Sequence, residues 1–281
     1  MTDQHSTAIT EPLLQFAKTH FEWFVLSTQE NARHFNMSPF GAKGKKEGKK
    51  AVFIDVLNPK NIGFIELVNL LDGLSYRDKN LAIPKWVQLD CASLPSGIVG
   101  LAMAAKDLPH DVKERFEIES DYPGLVPVSE YCAIPSAGGS WIGHTCASLM
   151  EGSGLGLFTK VLALAVYQAQ RLRGITQYEN TAVKLHTRIS NLALVSAVTP
   201  AHGEPWNTFV YQHEVHQDKL ESILRSPKKK QDPTLLLDPS SMQQKLNLQK
   251  RIEDGESVSI LYPGHVYDEH HKLLIPVKIV S

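Results

Sequence analysis

Met150-Glu151-Gly152-Ser153-Gly154-Leu155-Gly156-Leu157-Phe158-Thr159-Lys160 runs on into Val161-Leu162-Ala163-Leu164-Ala165-Val166-Tyr167-Gln168-Ala169-Gln170. The stretch reads as a strand end, a glycine turn and a long apolar helix. Glycines permit positive φ and close backbone approach. A glycine turn that opens a helix aims unpaired N–H groups and the positive end of the helix dipole at one spot, which suits a phosphate or pyrophosphate. The plainer reading of 152–156 is a tight turn at a helix start with no ligand. The helix is apolar nearly all round between 161 and 167, so it belongs in a core. Its expected span is 155–173, closed by Gly174.

Upstream, 127–134 and 140–149 read as an antiparallel pair joined by Pro135-Ser136-Ala137-Gly138-Gly139, and 98–103 as a strand before them. Downstream come a short strand (175–178), Asn180 as the N-cap of a helix at 181–188, and strands at 192–198 and 208–211. Segments 257–262 and 273–280 are expected to pair as a terminal hairpin, after a charged linker with a small helix (227–250). Nearer the start, the pattern suggests a helix at 13–24, a strand at 24–28 returning as a second at 32–37, a strand at 51–57, a helix at 62–74 and a strand at 85–89. The expected class is α/β (or α+β), with a mixed, largely antiparallel sheet and a buried central helix. The expected domains are an N-terminal extension (1–50), a core (51–215), and a linker with a β-hairpin (216–281).

The 281 residues are 42% hydrophobic and 21% charged, an ordinary globular composition. A net charge of −1 argues against broad electrostatic binding of nucleic acid. Cys91, Cys132 and Cys146 form no C-x-x-C pair, so neither a disulfide framework nor a zinc ribbon is expected. The polar start has no signal pattern, and the apolar run Val161 to Tyr167 is too short for a bilayer. A cytoplasmic protein without membrane contact is expected, acting on a small molecule.

In their order, residues 97–198 resemble the core of the GNAT superfamily of N-acyltransferases: three strands, a glycine turn, a long helix, a strand, an Asn-led short helix and a strand. In that family the loop N–H groups hold the coenzyme A pyrophosphate. The resemblance implies an acyl-CoA-dependent N-acyltransferase acting on a small amine or amino group, with acetyl-CoA or another acyl-CoA as cosubstrate. Met150, Gly152, Ser153, Gly154, Leu155 and Gly156 would hold the cofactor, and Asn180 would open the later element. Glu151 stands where the family usually has a basic or amide residue, and a carboxylate beside a pyrophosphate is repelled. The helix after Asn180 ends in Ile189-Ser190-Asn191-Leu192 rather than Gly-Phe.

Acyl transfer needs a donor for the developing oxyanion, a base for the amine proton and an aligning pocket. Leu149 and Met150 would offer the backbone donor. Glu130 and His144 are the candidate bases, and Tyr131 or Tyr167 could return a proton to the thiolate. The competing reading makes Glu130 or Tyr131 a solvent-facing strand residue and His144 a hydrogen-bonded core histidine. Cys146 should share a strand face with His144, which makes a Cys/His pair conceivable. His213-Glu214-Val215-His216 and the group His265, Asp268, Glu269, His270, His271 lack the His-Glu-x-x-His spacing of a zinc site, so no metal is expected. Lys228-Lys229-Lys230 and the lysine-rich run at 41–50 read as solvated loops.

A second resemblance begins at the other end. Phe24 to Thr28, a turn, Arg33 to Met37, Ser38-Pro39-Phe40 and Ala51 to Leu57 are similar to the opening strands of the flavin-binding split barrels. This implies FMN held by Arg33, Asn36 and Ser38. A third reading is a non-catalytic α/β binding protein.

Overall fold

A computed structural model describes residues 13–40, 49–76, 82–119, 121–150, 152–200, 206–226 and 228–280. The chain divides into two compact units: 1–135 with 144–168, and 136–143 with 169–281.

The first unit contains α1 (Leu13–His20), β1 (Glu22–Ser27), α2 (Gln29–Ala32), β2 (Val52–Asp55), α3 (Ile62–Tyr76), α4 (Lys85–Ser93), β3 (Gly97–Ala104), α5 (His110–Phe116), β4 (Leu125–Pro135), the second half of β5 (Ser140–Ser148) and α6 (Leu155–Val166). Its sheet runs β2-β1-β3-β4-β5. β1 and β2 are parallel; β1 with β3 and β3 with β4 are antiparallel. A bulge shifts the register so that Leu101 pairs Ser129 while Ala102 pairs Pro127. Proline has no N–H to give a ladder, so a bulge is where a strand tolerates it.

Both faces of this sheet are covered. Trp23 packs on Phe158 of α6, with ring centroids 5.5 Å apart. Its neighbour Phe24 points the other way, edge-on to Phe64 of α3 at 5.0 Å. Double burial makes β1 a continuous apolar run instead of an alternating one. Gly100 lies where a Cβ would collide with the Phe24 ring and the Ser129 carbonyl, so the strand there admits no side chain.

The second unit contains the first residues of β5, then β6 (Arg171–Gln177), α7 (Ala182–Ile189), β7 (Leu192–Thr199), β8 (Thr208–Glu214), α8 (Leu220–Arg225), β9 (Leu235–Leu237), α9 (Met242–Glu253), β10 (Ser257–Ile260), β11 (Val266–Tyr267) and β12 (Leu273–Val280). Ser140–Ile142 pair in parallel with Arg171–Arg173. The remaining pairs, β6-β8, β8-β7, β7-β10 and β10-β12, are antiparallel, and β9 and β11 also pair β12. Tyr178, Phe209, Tyr211, Ile260 and Val277 centre its core, and Leu248 of α9 packs with them.

The expected mixed, largely antiparallel α/β architecture is present, as are the buried central helix, the β4/β5 pair, the Asn180-led helix and the β10/β12 pairing. Four expectations are corrected. The central helix ends at Val166 rather than near 173: Gln168 takes a positive φ, and Arg-Leu-Arg-Gly-Ile-Thr-Gln forms β6, with Leu172, Gly174 and Thr176 facing inward. Gly174 therefore sits within a strand, against the Tyr211 ring. Residues 85–89 are helical, because the buried positions Gln88, Cys91 and Ala92 follow helical spacing after Pro84. Residues 29–32 form α2, capped by Thr28 Oγ1 accepting from Asn31 N at 3.3 Å, so 32–37 is no return strand. With β1 and β2 parallel, no strand–turn–strand hairpin exists there, and the flavin split-barrel resemblance loses the feature that carried it. Apart from these, β1 lies between β2 and β3 in the sheet.

Candidate active site

The glycine turn is built by its backbone. Gly152 and Gly154 have φ of +75° and +80°, a region that costs other residues energy. Gly154 is the N-cap of α6, and its carbonyl accepts the first helical bond from Phe158 N at 3.0 Å. Ser153 Oγ donates to the Met150 carbonyl at 2.5 Å and accepts from Leu155 N at 3.3 Å. Gly156 and Leu157 follow in the first turn, where N–H groups have no intrahelical acceptor. A Cβ on Gly154 would come within 3.3 Å of Leu13, whereas Gly152 faces open space. Leu149 N already donates to Val128 O at 3.1 Å, so it is no oxyanion donor. Glu151 lies outside the described residues.

The strand behind the turn divides the remaining candidates by face. On the α6 side, Thr159 Oγ1 donates to Ser129 Oγ at 2.8 Å, and Lys160 Nζ lies 5.6 Å from the centre of the Tyr131 ring. Lys160 is fully buried, and burial pulls its pKa down to about 7. Cys146 Sγ reaches the Gly156 carbonyl at 3.9 Å, and burial raises its thiol pKa to about 11. The Tyr167 hydroxyl donates to Gly97 O (2.6 Å) and Tyr131 O (3.2 Å), and burial raises its pKa well above the ordinary value. Both tyrosines sit in the core and hold the fold together there.

On the α3/α4 side, Glu130 is wholly buried. Its Oε1 accepts from Gln88 Nε2 at 3.1 Å, while among the described residues Oε2 meets no hydrogen-bond partner. Burial, reinforced by the Asp72 carboxylate, raises its pKa well above the carboxylate range. Asp72 is 1% exposed and accepts from Ile83 N (2.9 Å) and Thr145 Oγ1 (3.0 Å); burial raises it too. Glu130 is thus enclosed in this structure, whereas a base has to reach the amine proton directly or through one water.

His144 is the solvent-reaching member of the group, its ring partly desolvated by its neighbours. Its first partner is the Cys91 side chain, which raises the imidazole pKa against the opposing effect of burial, with Asp72 adding in the same direction. Cys91 in turn is lowered to about 5, chiefly by a hydrogen bond from Cys132, with His144 contributing. His144 thus joins a thiol on α4, whereas Cys146 faces α6, so the expected strand pair is not formed. Cys91 is 53 residues from His144 in sequence, and no local pattern joins them.

Asn180 belongs to the second unit, where Oδ1 caps α7 by accepting from Ala182 N at 2.9 Å. Among the described residues no group of three or more His, Cys, Asp and Glu could hold a metal ion. His213 is buried beside Tyr211 and His216 is exposed; His265 Nε2 meets the Tyr178 carbonyl at 2.8 Å, while His270 and His271 lie in the exposed turn before β12. No described helix is long and apolar enough to cross a membrane.

No protein-family model and no curated protein matches this sequence. Among solved structures, the chain is similar to a protein from Lactobacillus plantarum assigned as an N-acetyltransferase (10% identity, 57% of this chain and 94% of that one, TM-score 0.39). It is also similar to a chain of the NatC complex bound to Gag peptide and CoA (12%, 58% and 96%, TM-score 0.38). A protein from Desulfovibrio desulfuricans assigned to the GNAT family of acetyltransferases is a third (16%, 58% and 96%, TM-score 0.35). At TM-scores below 0.5, no site residue or substrate is transferred from them. The observed order of elements is the one the sequence led us to expect: β3, β4, β5, glycine turn, α6, β6, α7, β7.

Proposed function

We propose that the chain is an acyl-CoA-dependent N-acyltransferase acting on a small amine or amino group. The observation carrying this reading is the positive-φ glycine turn that follows the strand carrying His144 and opens the buried helix α6. The cofactor phosphates would meet Ser153 and the N–H groups of Gly156 and Leu157, with Met150, Gly152, Gly154 and Leu155 shaping the turn. Four residues of strand from His144 to Ser148, at about 3.3 Å each, put the strand end roughly 13 Å beyond His144, with Met150 past it. An extended pantetheine arm has to bridge that span, so Met150 belongs with the phosphates rather than with the reacting carbonyl.

His144 is the proposed base. The amine nitrogen attacks the thioester carbonyl, His144 takes its proton, the C–N bond forms and the C–S bond breaks. The imidazolium then returns the proton to the departing thiolate. Because Cys91 holds the imidazole pKa up, the rate should rise with pH as His144 loses its proton. Free thiols at 91, 132 and 146 suit a reducing cytoplasm.

The test is calorimetric titration of acetyl-CoA into the wild type and Gly156→Asp. Position 156 is helical, and an acid in the first turn favours the helix. A phosphate cradle predicts at least tenfold weaker binding with unchanged melting temperature. Equal binding would refute it.

A further inference from the structure

The second unit has a cavity of about 270 Å³ lined by the end of α7, the end of β8 and α8. Its apolar wall includes Val215, Leu220 and Ile223, the first two buried. Its charged residues are mainly cations: Arg188, Lys219 and Lys228. Glu214, the acid in the lining, is already engaged by Arg171 Nε at 2.8 Å.

Two of these cations, Lys228 and Arg188, are fixed by neutral groups. Lys228 Nζ donates to Thr187 O and Asn191 Oδ1, both at 2.9 Å, and is half-buried. Arg188 donates to Ser226 O at 2.9 Å and lies over the Tyr262 ring at 5.7 Å. Among the described residues, no ion pair engages Arg188, Lys219 or Lys228. Burial and the neighbouring guanidinium lower the Lys228 pKa to about 8, the direction expected of an ammonium without a counter-ion. Bonds to carbonyls orient these charges but do not neutralise them.

We propose that this cavity binds a small organic anion, a phosphate or carboxylate carrying an apolar group. The head group pairs with Arg188, Lys219 and Lys228, and the apolar part lies against Val215, Leu220 and Ile223. A rigid guanidinium and an ammonium held in place meet an anion with little loss of side-chain freedom. An apolar wall with a few convergent polar groups is the usual build of a small-molecule site. The cavity is independent of the glycine turn, so acetyl-CoA binding could fail without affecting it.

The test is calorimetry at low salt on the intact chain with phenyl phosphate, benzoate, inorganic phosphate and benzyl alcohol. Phenyl phosphate or benzoate should bind, inorganic phosphate at least fivefold more weakly than phenyl phosphate, and benzyl alcohol not measurably. Lys219 is exposed, so Lys219→Glu should fold normally and weaken the organic anion at least tenfold. Lys228→Met should weaken it as well, whereas Gly156→Asp should leave it unchanged. Absence of binding by both organic anions, equal binding to Lys219→Glu, or equal affinity for inorganic phosphate would overturn the proposal.

Discussion

Each unit holds two like charges close together, and the two pairs are accommodated differently. In the first, Glu130 and Asp72 lie in the interior with amide and hydroxyl donors, and both pKa values are raised. In the second, Arg188 and Lys228 lie at a cavity wall, tied to carbonyls. A carboxylate can bind a proton and become neutral, so an acid pair can be closed off from water. Guanidinium cannot lose its proton in a protein. A cation pair stays charged and stays at a surface that an anion can reach. Similar charge crowding therefore yields a sealed structural pair in one place and a ligand-ready cavity in the other.

The largest expected effect separates the sealed acids from the exposed base. His144→Gln should lower kcat/KM for amine acetylation by about 10²–10⁴-fold. The rising limb of the pH–rate profile should vanish with it, while the melting temperature holds. Retained activity with the limb intact would return Glu130 to the role of base.

Next in size is the proton on the acid pair. The folded state keeps protons on these carboxyls at pH values where the unfolded chain has lost them. Stability is therefore greatest below the unfolded carboxylate range and falls as pH rises through the folded-state values. Glu130→Gln should flatten that fall and raise stability at pH 8 by about 1–3 kcal/mol, since a neutral amide has no ionised form to bury at that pH. Urea unfolding at several pH values measures it, and an unchanged slope would mean that Glu130 is already ionised in the fold.

A smaller effect links the acids to the base. Once ionised, Asp72 contributes to holding the His144 pKa up, so above the Asp72 titration Asp72→Asn should move the pH–rate limb to lower pH without abolishing activity. A shift to higher pH would contradict the charge coupling. The smallest concerns the cations: Tyr262→Leu removes the ring beneath Arg188 and should weaken phenyl phosphate by about 0.5–1 kcal/mol. Calorimetry at fixed salt would register it.

The sequence is legible where one periodicity runs long enough to exclude the other. The apolar helix at 155, the Asn180 cap and the β4/β5 pair with its glycine turn are such places. It misleads where burial covers both faces or where a short window mixes periods. Lys85-Trp86-Val87-Gln88-Leu89 looks like a strand until Cys91 and Ala92 extend the helical spacing. Gln170-Arg171-Leu172-Arg173 continues a helix by propensity, but the alternation carried on to Gln177 makes it β6. Glu130 and His144 were both readable as polar residues on strands. Which of them is enclosed depends on Gln88 and Cys91 of α4, a helix the short window hid.

The most direct measurement follows the amide signals of isotope-labelled protein as acetyl-CoA is added. Binding at the glycine turn predicts the largest shifts at Gly152, Ser153, Gly156 and Leu157, with His144 responding only when the acyl group is present. Shifts confined to the Arg188–Lys228 cavity, or none at all, would contradict the assignment of α6 and its turn as the cofactor site.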